Sequence, residues 1–402
     1  MYRIVEGTNR ERYTMLIPAM LDAHFPLLKY AFYSPDYCPV ILENEEGIGD
    51  IGLKYVNNDM CYPAILNIGQ MIAALQSGAY DLSQTVLLMP QAGDACRGSN
   101  YTGKLRQAVE RAGFFTPVLS LNVKGLEKEQ QVRLHPYMVW RAFVAVMYGD
   151  LIMILRNQIQ PYEMQPGTTK KKVQYWFDRL SEDLCKGRRL DSFSMQRRFR
   201  EIAEDFARIP RTHKPCKKVG LVGELYTKYC HLGNWNLLEY LAEQECECYV
   251  NGLSWYVLYY IDTHMEKEGC LMKQAYRMGF RFILRIQRSM IAAIRQQGLY
   301  VMDDFCSFKE HARGYVPFEC CIGDGWLMGA EIVGHALGGY SRVIAAQPFG
   351  CMPNHVCGRG LYPSLARKLN NITITSVDYD SSGSPLNVKN RIQMALDFKM
   401  TV

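Results

Sequence analysis

Over its first 120 residues the chain alternates short apolar runs with helix-length amphipathic stretches. Residues 13–18 and 39–42 read as buried strands, as do residues 85–89 and 116–121. Between them, residues 62–75 have a helical pattern, with Pro63 near the first turn, where a missing N–H costs nothing, and Gly78 as the stop. A second helix is expected over residues 100–112, ended by Gly113. Strands alternating with helices of this length imply βαβ units and a parallel sheet.

From about residue 127 to 208 the strand signals vanish. Apolar residues recur at helical spacing through 139–159 and 173–184, and a basic amphipathic pattern covers 191–207. Pro166-Gly167 marks the internal turn. The alternating pattern resumes after residue 212. A buried strand begins at Val219, a helix with Asn234 as its cap covers 236–244, and another strand follows Glu247. A long helical run is expected over 254–297. Then come a helix at 324–337, a strand at 342–346, a helix at 361–369 and a strand at 372–380. The fold class is therefore α/β: two open parallel-sheet lobes of flavodoxin- or Rossmann-like type, residues 1–126 and 212–402, with a basic helical segment, 127–211, between them.

The 402 residues exceed what one core usually serves, and 48% apolar with 21% charged residues excludes a disordered chain. No export signal opens the sequence, so a cytoplasmic location is expected, and there the 14 cysteines point to metal or burial rather than disulfides. The most membrane-like stretch, residues 138–157, carries Arg141 and Asp150 and reads as a buried helix, not a span. Net charge is +6, concentrated in residues 161–218, with 15 Lys and Arg against 8 Asp and Glu. This is a solvated helical face or a docking face for an acidic partner; no motif for nucleic acid accompanies it.

Three cysteines carry the candidate chemistry. Cys61, Cys96 and Cys351 each fall between the end of a predicted strand and the start of the next helix. In an open α/β sheet such gaps converge on the crevice at the carboxyl ends of the strands. A helix N-terminus also favours a thiolate. Three converging thiolates describe an iron–sulfur cluster with one iron left unprotected. Intervals of 35 and 255 residues match no compact cysteine motif, so spacing alone leaves buried structural thiols open as the alternative. Cys320-Cys321, before the turn Gly323-Asp324-Gly325, and Cys38, before Pro39, are the reserve ligands if a larger cluster is present. Cys357 is a spare thiol in the Cys351 loop, and His355 is a loop histidine that could meet a substrate. Cys246 and Cys248 alternate across a strand and point to opposite faces. Gly98 to Lys104 has phosphate-loop spacing, but Leu105 replaces the residue that would hold magnesium. Gly47-Ile48-Gly49-Asp50-Ile51-Gly52 matches the dinucleotide fingerprint by letter and reads as a glycine-rich loop. Neither a zinc-protease motif nor a nucleophile elbow is present.

The segments 52–64, 93–101 and 347–355 around these cysteines resemble the 2-hydroxyacyl-CoA dehydratase family. They are most similar to the C-terminal dehydratase-like module of acyl-CoA dehydratase activase-related proteins. Val222-Gly223-Glu224-Leu225-Tyr226, Ser376-Val377-Asp378-Tyr379-Asp380 and Asn390-Arg391-Ile392 fit that module too. The resemblance implies a 4Fe-4S cluster on Cys61, Cys96 and Cys351. It implies an ATP-dependent iron–sulfur activator protein that injects one low-potential electron, and an acyl-CoA substrate whose carbonyl binds the open iron for radical dehydration. On that footing the chain is a lyase of the dehydratase type, working as a homodimer or heterodimer. A related branch carries a double-cubane 8Fe-9S cluster and reduces small molecules; Cys38, Cys320 and Cys321 would then supply extra ligands. A non-catalytic electron carrier or cluster scaffold is the reading from a different class, and a remnant that binds no metal is the third. The activase modules and the second subunit of the dehydratases have no counterpart in these residues.

Overall fold

A computed structural model describes residues 12–57, 59–91, 96–122, 135–265 and 269–397. Residues 93–95 of the Cys96 motif, residue 58 of the Cys61 motif and the expected start of the helical segment at 127 lie outside these. The first lobe runs β1 (Tyr13–Ile17), α1 (Phe25–Leu28), β2 (Tyr37–Ile41), α2 (Ile48–Tyr55), α3 (Tyr62–Gln76), β3 (Thr85–Gln91), α4 (Tyr101–Arg111) and β4 (Val118–Asn122). Its strands are all parallel in the order β2-β1-β3-β4. Met15, Leu16, Val86, Leu87, Leu88 and Met89 are buried on both faces of this sheet, which explains the continuous apolar runs.

Three helices follow, α5 (Pro136–Ile159), α6 (Thr168–Lys186) and α7 (Ser192–Ala207). Asp191 caps α7, accepting from the amides of Phe193 and Ser194. The helix running on from Pro136 is long and apolar enough to cross a membrane by composition, but 72% of its apolar window is buried inside the protein. The two terminal nitrogens of Arg141 donate there to the carbonyls of Tyr33 and Leu184, and Asp150 is held by the partners described below. Much of the basic charge of α6 and α7 is paired within the chain: Lys172 with Asp205, Lys186 with Glu182, Arg197 with Glu201 and Arg198 with Asp183.

The second lobe contains β5 (Lys217–Gly223), α8 (Leu225–Tyr229), α9 (His231–Asn234), α10 (Leu237–Glu243), β6 (Cys246–Val250), α11 (Leu253–Met265), α12 (Cys270–Arg295), α13 (Phe305–His311), α14 (Gly325–Leu337), β7 (Arg342–Pro348), α15 (Tyr362–Leu369), β8 (Thr373–Tyr379) and α16 (Pro385–Asp397). Its order, β6-β5-β7-β8, again all parallel, repeats that of the first lobe. In both sheets the connections reverse between the first and third strands, at β1/β3 and β5/β7. The carboxyl ends there form the crevice where open α/β sheets take ligands.

Two expectations are corrected. The helical run expected over 254–297 is two helices, α11 and α12, and Gly269 opens the second as its N-cap. The stretch read as a glycine-rich loop, Gly47–Gly52, is mostly helix α2. Its glycines serve helix packing: a Cβ on Gly52 would lie 2.1 Å from the Ile65 carbonyl oxygen, and one on Gly69 would lie 1.8 Å from that of Ile48. Side chains would force α2 and α3 apart. Asn234 does satisfy the start of α10, its Oδ1 accepting from the Leu237 amide at 3.0 Å, while Asn236 occupies the N-cap position itself.

The lobes are fastened directly. The Asp150 carboxylate, fully buried on α5, accepts from the Leu253 and Ser254 amides at 2.6 and 2.9 Å and so caps α11; its Oδ1 also meets His24 Nε2 at 2.8 Å. Close by, His231 of the second lobe lies between Asp22 (2.8 Å) and Glu45 (3.1 Å) of the first. These two carboxylates raise the imidazole pKa to about 9, the Asp22 hydrogen bond contributing most. One large core joins α5–α7 to the second lobe and reaches Tyr62 and Leu66 of the first; a separate core fills the α2–α3–α4 side of the first sheet.

Candidate metal centre

Cys96 and Cys351 occupy equivalent places in the two lobes. Cys96 follows β3 and precedes the short turn into α4; Cys351 follows β7 and precedes a π-helical turn, Asn354–Arg359. Cys61 is placed differently from the expectation. Helix α2 intervenes between β2 and this residue, and Cys61 is the N-cap of α3. Its side chain makes no full capping hydrogen bond, though the Ala64 amide of the first turn acts on the sulfur.

Local contacts hold each sulfur. Cys61 Sγ and the Tyr101 hydroxyl share a 2.8 Å hydrogen bond, and Tyr101 begins α4 just beyond the Cys96 turn. The Arg97 guanidinium donates to the Asp59 carbonyl and ties the same two loops together. Cys96 Sγ accepts from the Gly98 amide at 3.3 Å. Cys351 Sγ accepts from Asn354 Nδ2 at 3.5 Å. The three groups lie within one electrostatic neighbourhood. Cys61 raises the cost of ionising Cys96, Cys96 raises that of Cys351, and the Glu224 carboxylate acts on all three.

Glu224 and Asp324 were not foreseen as part of this site. Glu224 follows β5 directly. Gly223 before it adopts φ +136°, and a Cβ there would sit 1.8 Å from the Ala346 carbonyl, so only glycine lets β5 turn so close against β7. The Glu224 carboxylate caps α8 through the Thr227 amide at 3.0 Å. Asp324 lies between Gly323 (φ +58°) and Gly325 (φ +40°) and is the N-cap of α14. Its Oδ2 accepts from Asn354 Nδ2 at 3.1 Å, so one amide serves both Asp324 and Cys351. A sequence signal existed for both: a carboxylate directly after a strand, and another between paired glycines before a helix. Behind them Lys228 and Glu331, 2% and 1% exposed, form a buried ion pair at 3.1 Å, with Asn251 also on Glu331.

Sequence reasoning expected helix N-termini to lower the thiol pKa values. The opposite holds. Burial is the largest influence at each cysteine: Cys61 is raised, Cys96 is raised to about 11, and Cys351 is raised further. Burial also raises Glu224, and it raises Asp324 to about 7, with Glu224 next among its causes. Five acidic groups thus face one crevice with their ionised forms disfavoured, while the nearby ammonium of Lys228 is committed to Glu331. A cation among them would reverse each of these shifts. A tetrahedral single ion needs sulfurs roughly 3.8 Å apart, given metal–sulfur bonds of about 2.3 Å. Among the described residues only Asp22, Cys230 and His231 bring three donor atoms within 4.8 Å of one another. The cysteine trio is not among them, so these three sulfurs are not gathered for one ion; a polynuclear group, whose ligands bind different metal atoms, sets no such spacing.

The reserve ligands divide. Cys38 is exposed near the amino end of β2, at the opposite edge of the sheet from the crevice, and is not brought to the site. Cys320 and Cys321 lie in the turn that carries Asp324. Cys357, raised to about 11 by burial first and then by Cys320, joins them as a second group of thiols. His355 lies 3.5 Å from Asp378. Cys246 and Cys248 are both buried in β6 and, two residues apart in one strand, lie on the same face of the sheet, not on opposite faces as expected. A cavity of about 730 Å³ opens between the lobes beside Asp22, Arg156 and His231, and none of the three cysteines lines it. The donor set, rather than cavity size, locates the centre. In comparisons with known proteins, no protein-family model matches this chain and none of the curated proteins matches it.

Proposed function

We propose that this chain is an iron–sulfur protein of the 2-hydroxyacyl-CoA dehydratase type, with Cys61, Cys96 and Cys351 holding a 4Fe-4S cluster. The observation that carries this reading is the convergence of three thiols from both lobes, with two carboxylates, at the facing switch points. Such a cluster supplies one-electron chemistry and an open metal position for a substrate oxygen. The chain's own residues would hold and shield it. Gly98 N–H and Asn354 Nδ2 donate to two of the sulfurs, and Tyr101 fixes the third. Hydrogen bonds to sulfur raise a cluster's potential, whereas burial and the negative charge of Glu224 and Asp324 lower it. An ATP-dependent activator would deliver the electron, an acyl-CoA would be the substrate, and the cytoplasm the place of action.

Anaerobic purification with iron and sulfide analysis tests the cluster, with about four irons per chain expected. Colourless, iron-free protein after reconstitution would end the reading. Adding activator, ATP and candidate acyl-CoA thioesters then separates a dehydratase from an electron carrier, because a carrier turns nothing over. A second reading, the double cubane, is favoured by one observation: Cys320, Cys321 and Cys357 gather beside Asp324. It demands about eight irons per chain and their partial loss when Cys320 is replaced.

A further inference from the structure

We propose that Asp324 is the fourth, oxygen ligand of the metal group held by Cys61, Cys96 and Cys351. The proposal rests on the cluster reading above and extends it to a position that the three thiols leave open.

The repeat of the lobes is the first ground. Helix α3 leads into β3 and helix α14 leads into β7, so the N-cap of α14 is the counterpart of the N-cap of α3. Cys61 stands at one of these positions and Asp324 at the other. Cys96 and Cys351 are the matching pair that follows the two strands. The crevice therefore has four corresponding corners, three with sulfur and one with a carboxylate.

The behaviour of the side chain is the second ground. Aspartate is among the strongest N-cap residues because its carboxylate accepts from the first free helical amides. Asp191, Asp304 and Asp81 all do so in this chain. Asp324 does not cap α14: its backbone is already helical, and the amides of Gly325, Trp326 and Leu327 are taken by the carbonyls of Ile322, Cys320 and Asp324 itself, which leaves the carboxylate to the crevice. Its carboxylate instead meets Asn354, which also donates to Cys351 Sγ, so the oxygen and the sulfur share one nitrogen. Asn354 is completely buried, and its Oδ1 has no hydrogen-bond partner. A carboxylate 7% exposed, with no helix amide to cap, in the neighbourhood of Cys96 and Cys351 and backed by a half-satisfied amide, has the setting of a metal ligand. A hard oxygen donor is also easier to exchange on iron than a thiolate, which suits the position where a substrate oxygen would arrive.

The test uses the full chain, loaded with iron and sulfide under anaerobic conditions, as wild type, Asp324→Ala, Asp324→Asn and Asp324→Cys. All four should retain three-cysteine binding and similar iron content. On mild oxidation, Asp324→Ala and Asp324→Asn should convert to a three-iron species, seen by electron paramagnetic resonance, roughly tenfold faster than wild type. Asp324→Cys should resist that conversion. Cyanide should perturb the reduced spectrum of Asp324→Ala at roughly tenfold lower concentration than wild type. Asp191→Ala, which removes a working cap, should lower stability without moving either readout. Equal oxidation rates and equal cyanide response in wild type, Asp324→Ala and Asp324→Asn would overturn the assignment. Wild-type protein that takes up no iron would instead remove the cluster reading itself, a result visible before any variant is made.

Discussion

The two lobes share a strand order and a switch point, yet they bring different chemistry to the crevice. The first lobe contributes Cys61 and Cys96 with neutral partners, the Tyr101 hydroxyl and the Gly98 amide. The second contributes Cys351, the part-buried Glu224, and the buried charges Lys228, Asp324 and Glu331. The difference teaches that a repeated framework fixes where groups can stand, while local turns decide which groups stand there. Gly223 and the Gly323/Gly325 pair exist only in the second lobe, and they aim the two carboxylates.

The largest effect is expected from the cysteines at equivalent places. Cys96→Ala and Cys351→Ala should each lose or degrade the cluster, while Cys216→Ala, well away from the crevice, should keep its iron. Iron analysis decides it; equal loss in all three contradicts the ligand assignment. The next effect belongs to the second lobe alone. Lys228→Met strands the Glu331 carboxylate in the core and should cost about 3–5 kcal/mol in denaturant unfolding. Adding Glu331→Leu should restore much of that. A single change costing under about 1 kcal/mol would mean that the pair is reached by water.

The α2–α3 contact of the first lobe should be more sensitive to an added methyl group than the packing of α14 in the second. In Gly69→Ala the new carbon meets backbone at 1.8 Å, whereas in Gly329→Ala it meets the Val316 side chain at 2.5 Å, which can turn aside. We expect about 3 kcal/mol for the first and nearer 1 for the second; the reverse order would contradict the close α2–α3 packing. The smallest effect lies at the junction. Because Asp22 and Glu45 raise the His231 pKa from 6.5 to about 9, its contribution is full below about pH 6.5 and is lost as pH rises through about 9. His231 is partly exposed, so solvent screening limits this to about 1–2 kcal/mol. His231→Gln should remove that part of the pH dependence, seen as a smaller drop in stability between pH 6.5 and 9 than the wild type shows.

Much of the framework was legible in the sequence because strands covered on both faces leave continuous apolar runs. Thr85–Gln91 and Arg342–Pro348 were found this way, and the cysteines behind them followed. Helix α2 was not legible, because glycines chosen for close helix contact look like a loop when read alone. The thiol pKa direction was misread because a helix terminus is visible in sequence, while burial and distant carboxylates are not. Cys38 was included for its position at a strand start, and strand direction puts it at the wrong edge. Glu224 and Asp324, 100 positions apart, reveal their shared setting only once β5 and β7 lie side by side.

Asp150 has a consequence for how the molecule is put together. One carboxylate answers to His24 on one side and to the start of α11 on the other, so swinging the halves apart would strand a bare negative charge in oil. The gap between them is consequently set when the polypeptide matures and does not open on demand. Anything bulky that comes to rest inside has to be built there piece by piece, or be delivered before that pin is seated.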